Sequence, residues 1–232
     1  MGFAACLAAI VCTGCATQSV GPTQHDTIGF DRDKSELVHV NLNVRAGELK
    51  VDSGADKLAT ADFNYNVPMW KPSTTYNSSN GVGYLTLTQP GEGGGVNISG
   101  SQKNEWDVKL NRDVPMDLAI HVGAGEARVN LGALNLRGLD MSMGAGELDL
   151  DLRGSPKMSY TAHVSGGVGD ATVHLPSSVG IEATATGGIG GIDSSGLHND
   201  GHRYYNDALG KSNVTVHLDI SGGVGSIKLI AE

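Results

Sequence analysis

The stretch GAGELDLDLRG, residues 144–154, joins a small-residue turn to a run in which leucine alternates with aspartate. Alternation of apolar and polar residues over five to seven positions is typical of a half-buried β-strand. A similar turn recurs along the chain. It has two glycines separated by one residue, or a close variant of that pattern. Its second glycine lies at positions 47, 83, 125, 146, 169, 190 and 225. The chain therefore repeats a unit made of a strand, a glycine turn and a second strand.

The spacing of these turns indicates how the units assemble. A unit of about 21 residues explains the gaps, because 42 is two units and 35 or 36 is one unit with an insertion. One such unit cannot bury its apolar face alone, so neighbouring units must stack. We predict an all-β fold, a parallel β-solenoid in which glycines 125, 146, 169 and 190 stack at one corner. An antiparallel β-sandwich with hairpins at the glycine turns is the alternative.

Composition supports a folded chain and excludes two classes of protein. Glycine accounts for 34 of the 232 residues and proline for 7, too few together for a low-complexity disordered segment. The formal net charge is −9 and no basic face is visible, which argues against a nucleic-acid partner. The chain has no apolar run long enough for a membrane-spanning helix. We expect more than 40% strand and almost no helix over residues 37–232.

The first residues have the pattern of an export signal. Residues 1–14 carry no charged side chain and are mostly small or apolar, as in a signal peptide. The run Cys12-Thr13-Gly14-Cys15 resembles a bacterial lipobox, which predicts lipid attachment at Cys15 and an outer-membrane lipoprotein facing the periplasm or the cell surface. The polar residues 15–36 are then a flexible tether. An ordinary signal peptide and a buried N-terminal strand are the alternatives.

The body of the chain resembles a known family. The runs AGELKVDSGADKLATADFNYNVPMWKP (46–72), GYLTLTQP (83–90) and NEWDVKLNRDVPMDLAIHVGAGEARVNLGALNLRGLDMSMGAGELDLDL (104–152) are similar to the bacterial toast-rack domain. The later glycine-rich strands resemble the β-repeats of adhesin-like envelope proteins. The resemblance covers residues 37–232, with an N-terminal half (37–135) and C-terminal repeats (136–232). It implies an extracytoplasmic β-repeat fold and brings no established catalytic residues.

Two regions are candidates for a contact surface. Trp70 and Trp106 could form a sugar-stacking face, although such aromatics also cap the core of a solenoid. The segment 197–211 interrupts the regular repeat, and insertions of this kind often lie on a binding face. Its candidate residues are His202, Arg203, Tyr204 and Tyr205. His198, His202 and Asp207 lie in a loop-forming sequence rather than on a helix, so we predict no metal site, and no cofactor motif is complete.

The residues do not suggest a reaction. No nucleophile, base and oxyanion donor converge in the predicted arrangement. We therefore predict a non-enzymatic, lipid-anchored envelope protein that acts in adhesion, scaffolding or envelope-stress sensing through protein or glycan binding. The alternative is a polysaccharide lyase or hydrolase on a β-solenoid. That alternative requires two carboxylates about 5–9.5 Å apart in a concave groove near Trp106, Asp107 and Lys109 or the 197–211 insertion.

Overall fold

A computed structural model of the chain describes residues 17–91 and 97–232. Strands contain 66% of the residues and helix 1%, which confirms the all-β prediction. The strands are β1 Thr17–Ser19, β2 Gln24–Phe30, β3 Leu37–Ser53, β4 Ala59–Tyr65, β5 Ser73–Ser79, β6 Val82–Thr88, β7 Asn97–Ser99, β8 Asn104–Leu110, β9 Pro115–Asn130, β10 Asn135–Asp151, β11 Tyr160–Leu175, β12 Gly180–Ile189, β13 Ile192–Ser195, β14 His198–Asp200, β15 Arg203–Tyr205, β16 Thr215–Val224 and β17 Ile227–Ala231. A short 3-10 helix covers Pro68–Trp70.

The architecture is a parallel stack of bent strands. Strands β3, β9, β10 and β11 are 16 or 17 residues long, and each bends at its glycine turn into a first arm and a second arm. The pairs β16–β17 and β12–β13 form the same bent unit, interrupted at the corner. These units pair in parallel along both arms. The predicted parallel β-solenoid is confirmed, as an open, bent sheet, and the sandwich alternative is wrong.

The apolar alternation changes phase at each corner. In β9, Met116, Leu118, Ile120 and Val122 are buried on the first arm, and Ala127 and Val129 are buried on the second. The buried residues of β9 thus have even numbers before the corner and odd numbers after it. This shift turns the apolar side chains of both arms into one core inside the bend, so a single strand covers two sides of that core.

The corner glycines determine the stacking. At each corner the second glycine has a φ between +131° and +142°, a conformation that L side chains rarely adopt. A Cβ atom on Gly125 would overlap the carbonyl oxygen of Gly47, and the same overlap relates each later corner glycine to the preceding one in the stack. The corners follow the order 47, 125, 146, 169, 225 and 190. Glycines 125, 146, 169 and 190 therefore stack at one corner, as predicted.

Two details of the predicted repeat are wrong. The last coil, β16–β17, lies between β11 and β12, so stacking does not follow chain order at the C-terminal end. Gly83 is not a corner: it lies inside β6, beside Tyr76 and Val38. The nearby turn is the two-residue hairpin Asn80–Gly81 between β5 and β6, in which both residues have positive φ. An Asn-Gly pair is the usual sequence of that hairpin.

Antiparallel strands cover the ends of the stack. At the N-terminal end, β2 pairs with β4 and β4 with β8. Part of the segment predicted as a tether, residues 15–36, is therefore folded, because Ile28 and Phe30 of β2 pack on the core. At the other end, β14 and β15 form a hairpin on the edge of β12. The segment 197–211 is thus a cap on the first-arm sheet rather than a solvated loop.

The N-terminal predictions concern a different part of the chain. The predicted signal peptide, residues 1–14, and Cys15 lie outside the described residues. Within residues 17–91 and 97–232, no helix is long and apolar enough to cross a membrane.

Candidate binding surfaces

The first arms present a broad outer surface of polar side chains, which we call the polar face. It consists of the outward residues of β6, β3, β9, β10, β11, β16, β12 and β15 in register. The row nearest the corner contains His121, Ser142, Ser165, Ser221 and Thr186 on five successive strands. His121 Nδ1 and Ser142 Oγ are 2.7 Å apart. Hydroxyls and imidazoles are therefore displayed at the spacing of adjacent strands, about 4.8 Å.

Imidazole–carboxylate pairs join neighbouring strands across the polar face. His39 Nδ1 lies 3.5 Å from Asp117 Oδ2, and His163 Nδ1 lies 3.2 Å from Asp219 Oδ2. Glu182 links three strands. Its Oε2 is 3.3 Å from His217 Nδ1, and its Oε1 accepts a hydrogen bond of 2.8 Å from Arg203 Nε. Such cross-strand pairs hold the side chains upright on an exposed sheet.

Each end of the polar face carries a tyrosine against an imidazole. Tyr84, half exposed, stacks on His39 with ring centroids 5.3 Å apart and an interplanar angle of 22°. At the other end, Tyr205 lies 5.3 Å from the ring of His198, and Arg203 Cζ lies 5.0 Å from the Tyr205 centroid. Seven strand steps separate the two tyrosines, which is about 34 Å. The ends are thus two aromatic platforms joined by a polar surface.

The structure divides the predicted contact residues among different places. Trp106 is only 1% exposed: its Nε1 donates to Asn104 Oδ1 and its ring meets Phe63 edge-on, so it belongs to the core. Tyr204 is buried as well, since it alternates with its outward neighbours in β15. Trp70 is half-buried in the 3-10 helix at the N-terminal end. Proposals of surface contacts through Trp106 and Tyr204 are therefore wrong.

The other predicted residues lie near the polar face. Arg203 and Tyr205 are outward residues of β15, and His202 is exposed in the turn that precedes it. Sequence reasoning missed the residues that join them into a surface, above all Tyr84, His39 and Glu182. Their outward alternation was visible, but strands far apart in the chain bring them together. Only the register of those strands could have revealed the two aromatic ends.

The second arms form a shallow depression where the enzyme alternative required a groove. It has a volume of about 210 Å³ and is lined by Glu48, Lys50, Asn64, Glu105, Trp106, Asp107, Glu126 and Arg128, among others. Lys50 Nζ lies 2.8 Å from Asp52 Oδ2 and 3.6 Å from Asp107 Oδ2, which raises its pKa. Arg128 pairs with Glu126, and Lys103 with Glu105. Asp107, Glu126 and Glu105 thus have cationic partners, and the indole of Trp106 is turned into the core.

Comparison with known proteins identifies the family. Residues 19–174 match the family described as the N-terminal domain of toast_rack, DUF2154. The chain belongs to the toast-rack family. A crystal structure from Clostridium sporogenes, described as a candidate cell adhesion protein, is 32% identical to this toast-rack chain with a TM-score of 0.88. The match covers 90% of this chain and 100% of the other.

A more distant structure has a related description. A candidate adhesin from Bacteroides fragilis is 11% identical over 91% of this chain and 99% of its own, with a TM-score of 0.31. No curated protein matches the toast-rack sequence. The expected toast-rack family is thus confirmed.

Proposed function

We propose that this toast-rack protein is a non-catalytic cell-envelope adhesion protein that binds an oligosaccharide along its polar face. The description of the 32% identical relative as a candidate cell adhesion protein supports the adhesion role. The arrangement of the polar face supports the ligand class. One observation carries the proposal: the half-exposed Tyr84 and the partly exposed Tyr205 lie at opposite ends of a surface of hydrogen-bonding side chains.

The chemistry of the polar face suits a sugar chain. The C–H face of a pyranose packs on an aromatic ring, and its hydroxyls donate to carboxylates and accept from imidazole, amide and guanidinium groups. Tyr84 and Tyr205 supply the rings, and the His39–Asp117 and His217–Glu182 pairs supply donors and acceptors. Because the platforms are about 34 Å apart, the ligand is an extended oligosaccharide rather than a monosaccharide.

A polysaccharide-cleaving enzyme is the rival function. Glycosidic hydrolysis needs one carboxyl that stays protonated near neutral pH, and burial away from cations is what provides it. Glu126, Glu105 and Asp107, in the depression on the second arms, instead pair with Arg128, Lys103 and Lys50. None of these three carboxyl groups is isolated from cations, and this supports a binding role.

The proposal includes attachment of the protein to a membrane through a lipid on Cys15. An anchor of this kind would hold the folded body at the outer membrane, where a surface glycan can reach the polar face. Mass spectrometry of the native N-terminus tests the anchor. We expect a lipid-modified cysteine at position 15 as the first residue, and an intact Met1 or a free thiol on Cys15 would contradict it.

Binding to an array of cell-surface oligosaccharides tests the function. We expect selective binding of an extended glycan, weakened about two- to twelvefold by Tyr84→Ala or Tyr205→Ala, as for an aromatic contact worth about 0.5–1.5 kcal/mol. Lys109→Ala, an exposed change on the second arm, is the matched control. Unchanged affinity in both tyrosine variants would refute the assigned face. Release of new reducing ends from the bound glycan would refute the non-catalytic role.

A further inference from the structure

The corner of the stack carries a row of apolar side chains that we call the corner ridge. It consists of the residue directly before the second glycine of each corner. These residues lie in register on six successive coils: Ala46, Ala124, Ala145, Val168, Val224 and Ile189. The last three are large and exposed, with 57%, 45% and 74% of their surface accessible. They are neighbours on adjacent strands, so the exposed apolar surface is continuous.

The fold does not require these large residues at the corner. In β9 and β10 the inward position beside the corner holds Val122 or Met143, and the ridge position holds alanine. In the three C-terminal coils the inward position holds Gly166, Gly222 or Gly187, and the ridge position holds valine or isoleucine. The large side chain thus lies inside the bend in β9 and β10 and outside it in the three C-terminal coils. Burying such a side chain would contribute about 1.5–3 kcal/mol, so its exposure forgoes stability.

The inward glycines leave unfilled space beneath the C-terminal part of the corner ridge. A cavity of about 30 Å³ lies there, lined by Met143, Leu148, Val164, Ile220 and Ile227 together with the glycines and the ridge residues Val168 and Val224. A Cβ atom on Gly166 would meet no atom closer than Ser221 O at 3.8 Å. A cavity of this size has room for about one water molecule, so the space beneath the C-terminal part of the corner ridge is only loosely filled.

A row of carboxylates runs beside the corner ridge on the second arms. Its members lie on five successive strands in register: Glu105, Glu48, Glu126, Glu147 and Asp170. Like charges on directly opposite residues destabilise a sheet, so this row has a cost to folding. Arg128 and Lys103 offset it in part. The acidic residues accompany the alanine end of the ridge, and the large apolar residues begin at the coil that contains Val168 and Asp170.

We propose that the corner ridge and its acidic row bind a polypeptide segment with an apolar block followed by a basic block. Apolar side chains would cover Val168, Val224 and Ile189, and lysine or arginine side chains would pair with Glu126, Glu147 and Asp170. The ridge spans five strand steps, about 24 Å. That length matches about seven extended residues or sixteen helical residues.

Charge and length favour a polypeptide over other occupants. The chain has a formal net charge of −9, so an anionic bilayer would repel the acidic row. A single lipid headgroup is too short to span apolar and acidic sites arranged along about 24 Å. A second copy of the chain would bring few basic groups to the acidic row, since acidic residues exceed basic ones by 25 to 16. A basic, partly apolar segment complements both parts of the surface.

The test uses the full chain and two labelled synthetic peptides of sixteen residues. One has leucines spaced by serines in its first half and lysines spaced by serines in its second, and the other has glutamate in place of lysine. We expect the lysine peptide alone to bind. A Val168→Ser/Val224→Ser/Ile189→Ser variant should lose at least tenfold in affinity, and Glu126→Gln/Glu147→Gln/Asp170→Asn at least fivefold at low salt. Met158→Ser, an exposed apolar change outside the ridge, is the matched control.

Each other outcome would overturn the docking proposal. Equal binding of both peptides would show that charge has no part, and equal binding by the serine variant would show that the corner ridge is not the site. Ridge-dependent sedimentation with phosphatidylglycerol–phosphatidylethanolamine vesicles would assign the surface to a bilayer, and ridge-dependent dimers to a second copy. Glycan binding by the serine variant should stay unchanged, which separates this test from the one on the polar face.

Discussion

The N-terminal and C-terminal coils share one corner geometry but use it differently. In β9 and β10 the corner sequences are VGAGE (122–126) and MGAGE (143–147), with a large residue inside the bend and alanine outside. In the three C-terminal coils they are GGVGD (166–170), GGIGG (187–191) and GGVGS (222–226), with glycine inside and a large residue outside. The shared second glycine is imposed by stacking. The residues around it are free to serve the core or the surface.

The largest effect should be common to both regions. Gly125→Ala and Gly169→Ala place a methyl group on the carbonyl oxygen of the neighbouring corner and force an alanine into a φ above +130°. We expect each to lower the free energy of unfolding by more than about 4 kcal/mol or to prevent folding. Denaturant unfolding measures it. Gly191→Ala, where no atom lies within 4 Å, is the control and should change little.

The next effect should separate the two regions. Met143→Ala removes a buried side chain at the inward position and should cost about 2–5 kcal/mol. Val168→Ala removes an exposed one from the corner ridge on the next coil and should change stability by less than about 0.5 kcal/mol. Both are measured by chemical denaturation. Similar losses for the two variants would mean that the ridge valine is part of the core.

A smaller effect should have the opposite sign. Gly166→Ala adds a methyl group over the cavity beneath the corner ridge, where the nearest atom would be 3.8 Å away. We expect a gain of about 0.4–1 kcal/mol, partly because alanine restricts the unfolded chain. Gly222→Ala is the matched comparison, since its Cβ would lie 3.2 Å from Ile227 Cδ1, and it should gain less. A loss of stability in Gly166→Ala would refute the open space.

The smallest effect concerns the last carboxylate of the acidic row. Hydrogen bonds from the Ser226 hydroxyl and backbone N–H lower the pKa of Asp170 below its ordinary value of 3.8. Its contribution to stability is therefore present above pH 4 and lost as pH falls through the lowered pKa. Asp170→Ala should lower the midpoint of thermal unfolding slightly at pH 7, by an amount that shrinks as the pH is lowered through the pKa of Asp170. In a Ser226→Ala background the effect should shrink, because only the backbone N–H still donates to Asp170; an undiminished effect would mean that the hydroxyl is not its main source.

The sequence was sufficient to predict the type of fold because the repeat is local. Alternation gave the strands, and the glycine spacing gave a parallel stack with one corner. It was not sufficient for the order of the coils. Placement of β16–β17 between β11 and β12 depends on contacts between distant strands, and the period of the repeat is the same for either order. Gly83 was misassigned because the pattern of two spaced glycines also occurs beside the Asn80–Gly81 hairpin.

The candidate surfaces were harder to predict for the same reason. Arg203 and Tyr205 were found because an insertion stands out from a regular repeat. Tyr84 and His39 were not, because they become part of the same surface only through parallel pairing of β6, β3 and five further strands. Trp106 shows the opposite error. Trp106 was a candidate for a sugar-stacking face, with a place in the core as the alternative, and the alternation in β8 turns it inward.

The large side chain at the corner lies inside the bend in the N-terminal coils and outside it in the C-terminal coils. Thiol labelling tests this difference most directly. Cys6, Cys12 and Cys15 are first replaced by serine. Val122→Cys then probes the inward position and Ile189→Cys the corner ridge. We predict that a maleimide reacts with the Ile189→Cys variant at the rate of a free thiol. The Val122→Cys variant should react at least about 100-fold more slowly, because the corner must first open locally to expose the thiol. Comparable rates would contradict the claim.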